Sequence, residues 1–293
     1  MNTSHAASEI ASQPALWRSV PGILERHGHL LPRPGERVAI IGCGTSWYMG
    51  MCYAVLRETA GQGITDVWTP DALPADRTYD RIVALTRSGT TSEVLQGLAD
   101  AKGRAPRLTI TAVPDAVAGV TDDILPLVEA DEQSVVQTRF ATTALTLFRA
   151  SLGADVEPLA RDAETALATP LADAWLATEQ VSFLGSGWTV GLAYEAALKL
   201  REACQFWTEA YPALQYRHGP IAIAQPGRLT WMFGTPPDGL ARDVAATGAT
   251  FVESGSLDPV AHLIVAQRLA LALTAAKGLD VDAPRSLTRS VIL

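Results

Sequence analysis

Two copies of one local pattern, offset by 143 residues, constrain this chain more than any other feature: a short apolar run, a glycine-rich turn, then a helix-forming segment. The first copy runs over 37–41 into Gly42-Cys43-Gly44-Thr45-Ser46 and on to about Leu56. The second runs over 181–184 into Gly185-Ser186-Gly187, then continues without Gly or Pro from Leu192 to about Thr208. At that offset Gly42 meets Gly185, Gly44 meets Gly187, Ser46 meets Thr189 and Ala54 meets Ala197. One strand and one helix cannot bury their apolar faces alone, so the repetition implies an internally duplicated α/β chain.

The other apolar runs fit the same plan. Strands are expected at 63–68, 81–85, 107–112 and 123–128 in the first half and at 228–234 and 250–254 in the second. Strands that alternate with helices imply parallel βαβ units with right-handed crossovers. Residues 8–30 read as a helix with Ile10, Leu16, Val20 and Leu24 on one stripe. Further helices are expected at 132–149, across the Ala-rich bridge 150–178, and at 259–277. A length of 293 residues suits two domains. They are expected to be 1–160, with the N-terminal helix, and 161–293, with the C-terminal tail.

A net charge of −8 argues against a polyanion-binding face, so nucleic acid is not expected as a partner. An anionic ligand would have to be held locally, by amides and hydroxyls. The three cysteines, Cys43, Cys52 and Cys204, show no CxxC spacing and read as buried thiols in a reducing compartment, without disulfides and without a metal site. The N-terminus lacks a signal-peptide pattern and no run of 18 apolar residues occurs, so a soluble cytoplasmic protein with no membrane partner is expected.

Glu195, Lys199 and Glu202 lie at i, i+4 and i+7, on one face of the second copy's helix, and His218 follows in a His-Gly-Pro turn. Two carboxylates, an ammonium and an imidazole suit proton transfer; a solvated Glu–Lys helix pair is the plainer reading. The surrounding Ala, Leu, Trp and Tyr residues favour the first, because an idle charge there is costly to bury. The segment Thr86-Arg87-Ser88-Gly89-Thr90-Thr91 follows a strand and precedes a helix. Its hydroxyls and guanidinium suit a phosphate monoester, although a Ser/Thr N-cap with a loop arginine accounts for it as well. Thr45-Ser46 at the neighbouring strand end strengthens the phosphate reading. A dinucleotide is not expected: Trp47 and Val190 occupy the third glycine position of GxGxxG, and no Walker A pattern occurs.

Taken in order, CGTSWYMG at 43–50, TRSGTTSEVL at 86–95, EQSVVQTRFATT at 132–143, YEAALKLREACQFWTEAYPALQYRHGP at 194–220 and DVDAPRSLTRSV at 280–291 resemble the two sugar isomerase (SIS) domains of glucosamine-6-phosphate synthase. SEIASQPALW at 8–17 resembles the start of that module. The resemblance implies two flavodoxin-like SIS domains, each a five-stranded parallel sheet flanked by helices, in a homodimer with shared active sites and no cofactor. It implies that Thr45, Ser46, Thr86, Arg87, Ser88 and Thr91 hold a sugar phosphate, while Val135, Gln137 and Thr288 contact the sugar. Glu202 falls on the base that moves a proton between C1 and C2, and His218 on a ring-opening histidine donated by the partner subunit. Glu195 and Lys199 fall on supporting charges.

The sequence departs from the pattern in three ways. The chain starts at the isomerase module with no N-terminal nucleophilic cysteine, so use of glutamine is not expected. Arg289 stands where the family has a tail lysine that forms a Schiff base; an arginine stays charged, but could steady an oxyanion or bind a second anion. Arg87 replaces a glutamine and Gln137 a serine, pointing to a substrate of different charge or tail. The expected activity is a sugar-phosphate aldose–ketose isomerase or amino-sugar-phosphate isomerase/deaminase. A deglycase for a phosphorylated Amadori product and a non-catalytic sugar-phosphate regulator are the alternatives, and the presence of both Glu202 and His218 weighs against the regulator.

Overall fold

A computed structural model describes residues 4–293. The N-terminal helices are α1 (His5–Ala11) and α2 (Gln13–His27). The first α/β unit comprises β1 (Val38–Ile41), α3 (Thr45–Thr59), β2 (Thr65–Trp68), β3 (Arg81–Leu85), α4 (Ser92–Asp100), β4 (Arg107–Thr111), β5 (Asp123–Pro126) and α5 (Arg139–Ser151). Helices α6 (Val156–Ala168) and α7 (Asp173–Leu176) lead to the second unit. That unit holds β6 (Gln180–Gly185), α8 (Val190–Cys204), β7 (Thr208–Pro212), α9 (Ala213–Tyr216), β8 (Arg228–Phe233), α10 (Leu240–Ala246), β9 (Thr250–Glu253) and α11 (Pro259–Ala276).

Both sheets are parallel throughout. The first has five strands in the order β2-β1-β3-β4-β5 and the second has four in the order β7-β6-β8-β9. The duplication is therefore visible in the topology: each unit starts on the strand next to one edge, steps out to that edge, then crosses back. The expected fifth strand of the second sheet is absent among the described residues, because only residues 254–258 separate β9 from α11. In the first unit the chain runs from β4 through a 3₁₀ turn to β5 before its closing helix.

Three other expected elements differ in their limits. The helix expected over 8–30 is two helices meeting at Ser12, with Pro14 in the first turn of α2. Proline suits that turn, where its missing N–H is not needed. The second copy's helix stops at Cys204 because Gln205 adopts a left-handed conformation, φ 53°, and 208–212 then pairs with β6 as an edge strand ending in Pro212. The helix expected from 132 starts at Arg139, since the Glu132 carboxylate accepts hydrogen bonds from the Thr138 and Arg139 amides and caps it from upstream.

One apolar core runs through both units, with Trp17, Phe140, Phe183 and Trp231 wholly buried. Helix α11 is apolar and long enough to cross a membrane, but 67% of it is buried in this core. Inside, Gln13 donates to Gln267 of α11 (2.8 Å) and accepts from the Thr142 hydroxyl of α5 (2.7 Å), so one buried amide ties three packed helices together. The two units meet where α3 crosses α8. A Cβ on Gly191 would lie 2.4 Å from the Tyr48 carbonyl oxygen and 2.5 Å from the Cys52 sulfur, so only glycine permits this approach.

Candidate active site

The strand order of the first sheet reverses between β1 and β3, and the loops leaving these parallel strands face one crevice at their carboxyl ends. Gly44, at φ 52°, makes the turn into α3 and provides no side-chain cap. Thr45 and Ser46 form the buried first turn of α3. Across the crevice, Thr86 and Ser88 are buried, Ser88 Oγ accepts the Thr90 amide (3.2 Å), and Thr91 occupies the N-cap position of α4 without a side-chain capping bond. Two helix N-termini and a group of hydroxyls thus converge, as an anion requires.

Helix α8 brings the predicted charged face to this crevice from the second unit. Lys199 is buried; its Nζ donates to Glu202 Oε2 (2.6 Å) and to Thr45 Oγ1 (3.1 Å) and lies 3.5 Å from Glu195 Oε1. Burial would pull the ammonium down, but the two carboxylates outweigh it and hold Lys199 above the ordinary lysine range. Glu195 is wholly buried, and neither oxygen accepts a hydrogen bond of normal geometry. Its burial pushes the carboxyl up to about 7 against the opposing pull of Lys199, and the charge on Glu202 adds to the rise. Glu202, at the solvent edge, borders a cleft of about 430 Å³ with Leu198, Phe206 and Leu287. The burial of Glu195 and Lys199 excludes the solvated-pair reading.

The two arginines of the expected site point elsewhere. Arg87 is wholly buried; Nη1 donates to the Ser134 carbonyl (2.9 Å) and faces Glu132 Oε2 (3.4 Å), and Nη2 donates to the Arg289 carbonyl (2.7 Å). It is thus turned away from the loop hydroxyls, because the buried Glu132 needs a counter-charge. Burial raises the Glu132 carboxyl, and Arg87 opposes the rise. Arg289 donates to the Glu132 carbonyl and pairs with Asp131, which draws its guanidinium away from the Glu202 cleft. Val135 is half-buried and its carbonyl lies 3.3 Å from Arg87, while the Gln137 side-chain oxygen is buried without a partner. Thr288 is exposed and bonds only within the tail, to the Ser290 carbonyl (2.7 Å). The tail crosses the loop before α4, where Thr90 bonds Ser290 and the Ser92 amide bonds the Val291 carbonyl.

His218 stands exposed in the turn after α9, and among the described residues no hydrogen bond or ion pair joins it to Glu202. The buried His262 is not a substitute. It stacks on Trp231 (5.0 Å) in the core, and burial pushes it down to about 4. The thiols of Cys43 and Cys204 are pushed up to about 11 by burial, so neither is an activated nucleophile.

No protein-family model matches the chain. The glutamine–fructose-6-phosphate aminotransferase (isomerizing) of a Nostoc species is 28% identical over 87% of the chain and 52% of its own length. That of Thermus thermophilus is 27% identical over 94% of the chain and 55% of its own length. The chain is a homologue of these aminotransferases. It spans about half the length of the curated relatives it matches. In fold, it is similar to the C-terminal domain of glucosamine-fructose-6-phosphate aminotransferase from Francisella tularensis, with a TM-score of 0.79, 21% identity, and 97% of this chain and 99% of that one covered. The glucosamine-6-phosphate deaminase of Thermotoga maritima superposes with a TM-score of 0.80 at 22% identity over 99% of this chain and all of that one. The tagatose-6-phosphate ketose/aldose isomerase of Escherichia coli superposes at 0.76 with 16% identity, over 99% and 96%. The doubled parallel α/β fold expected from the motifs is therefore the observed one, with four strands rather than five in the second sheet.

Sequence reasoning assigned no role to Glu132, Asp131, Arg201 or Arg285, although all four border or fall in quoted motif blocks and Arg201 sits between two assigned positions. Glu132 anchors both arginines above, and Arg201 and Arg285 line the Glu202 cleft. A run of charges gives no signal for which partner each will meet.

Proposed function

We propose that the chain is a sugar-phosphate aldose–ketose isomerase or amino-sugar-phosphate isomerase/deaminase that acts on a hexose 6-phosphate or close anionic analogue without a cofactor. The observation that carries this reading is the single ammonium of Lys199, which binds both Glu202 and Thr45. It holds a candidate base at a set distance from a candidate phosphate loop. Thr45, accepting from Lys199, keeps its own hydroxyl proton to donate to a phosphate oxygen. The phosphate, anchored by Thr45, Ser46, Thr86, Ser88 and Thr91, orients the sugar and contributes binding energy to the reaction. Glu202 then takes a proton from one carbon and returns it to its neighbour through an enediol or enediolamine. A neighbouring charged ammonium stabilises the enediolate oxygen. Val135 and Gln137 contact the sugar, and His218 of a second copy opens its ring in a homodimer with shared sites.

The test is exchange of the substrate's C1 or C2 proton with heavy water, followed by proton NMR over fructose, glucose, glucosamine and fructosamine 6-phosphates. Glu202→Gln should lower exchange by roughly a hundredfold or more while phosphate-sugar binding changes little. Equal exchange in variant and wild type would reject the assigned base. The deglycase reading gains support from the arginines beside Glu202.

A further inference from the structure

The cleft beside Glu202 is cationic on a chain whose net charge is −8. Arg201 and Arg285 form part of its wall, and its one carboxylate, Glu202, is offset by the Lys199 ammonium 2.6 Å away. Lys277 adds a further charge behind Phe206, 4.6 Å from the ring centre. Arg201 uses only Nη1, on the Thr208 hydroxyl (3.2 Å) and carbonyl (3.4 Å). Arg285 makes no hydrogen bond or ion pair among the described residues. Next to it, Ser286 adopts a left-handed conformation, φ 63°, which bends the tail along the cleft and is uncommon for a residue with a side chain.

The reacting end of a plain hexose leaves these cations without a partner. Its hydroxyls carry no charge, and a cleft of about 430 Å³ is larger than two carbons and their oxygens fill. We infer that the substrate carries a second anionic group, a carboxylate or phosphate attached at the C1–C2 end of the sugar, and that Arg201 and Arg285 bind it. Planar guanidinium groups match either anion through paired N–H donors. This inference rests on the proposed function, in which Glu202 faces those carbons. It also assigns to Arg285 the second-anion role that Arg289, committed to Asp131 and Glu132, does not take.

Calorimetric binding decides it without turnover. One ligand pair is the 1-amino-1-deoxyfructose 6-phosphate adducts of glycine and of methylamine, which differ in a carboxylate; the other is fructose 1,6-bisphosphate and fructose 6-phosphate. The doubly anionic member of at least one pair should bind about tenfold tighter at low salt, and that pair identifies the anion. Arg285→Ala should remove most of the advantage, Arg285→Lys should retain part of it, and Arg201→Gln should reduce it. The inference falls if neither second anion adds affinity, or if Arg285→Ala weakens both members of the favoured pair equally. Failure of Glu202→Gln to affect proton exchange would sink the proposed base and leave these affinity ratios standing.

Discussion

At the scale of single residues, partners separate two equally buried carboxylates, Glu195 and Glu132, into one left able to take a proton and one that holds the protein together. Arg87 and Glu132 belong to the second kind: an ion pair sealed in the interior, with the carboxylate also accepting from the Thr138 and Arg139 amides. Removing one partner leaves an uncompensated charge, so Arg87→Met should cost about 3–5 kcal/mol in urea unfolding. The double variant Arg87→Met/Glu132→Gln should recover part of the loss, because the stranded charge is gone. Glu195 is of the first kind. Its carboxyl keeps a proton up to about 7 in the folded chain, against 4.5 for an ordinary glutamate. The native state therefore binds the extra proton between those values, and this group's contribution to stability falls as pH rises through that window, then levels off. Unfolding curves between about pH 5 and 8 should lose this slope in Glu195→Gln. An unchanged slope would show that another group titrates there.

At the scale of elements, α8 is the part on which the site depends. It starts just after a glycine-rich turn, meets α3 through Gly191, exposes Glu202 at its last turn and ends where Gln205 turns left-handed. A methyl group at Gly191 has no space to enter, so Gly191→Ala should force the helices apart and destabilise the protein by about 1–3 kcal/mol. The same shift should loosen the Lys199–Thr45 bond between the units and raise amide exchange along α8, measured by mass spectrometry. A variant of wild-type stability with unaltered exchange would mean that the crossing has slack. The tail acts on α4 in a different way: its backbone and Ser290 satisfy polar groups of Thr90 and Ser92, which a short helix with no capping side chain leaves open.

At the scale of the whole molecule, no hydrogen bond or ion pair joins Glu202 to His218 within the chain among the described residues, so the proposed pairing of the two needs a second copy. In the proposed homodimer, mixing inactive Glu202→Gln and His218→Ala proteins should restore about a quarter of the wild-type rate, because half of the dimers would be hybrids and each hybrid would have one intact site. No recovery on mixing, under conditions where subunits exchange, would confine the chemistry to one chain. The sequence by itself determined the duplication, the parallel α/β plan, and the helix face carrying Glu195, Lys199 and Glu202, because these follow from spacing over a few residues. Tertiary structure alone decided where the arginines point: Arg87 turns to Glu132, 45 residues on, and Arg289 to Asp131, 158 residues back. It also decided that the second sheet stops at four strands and that 208–212 pairs with β6 rather than extending α8. A charge held against the fold takes the counter-charge nearest in space, and an edge segment takes whichever neighbour offers a free ladder, and neither neighbour is close in the chain.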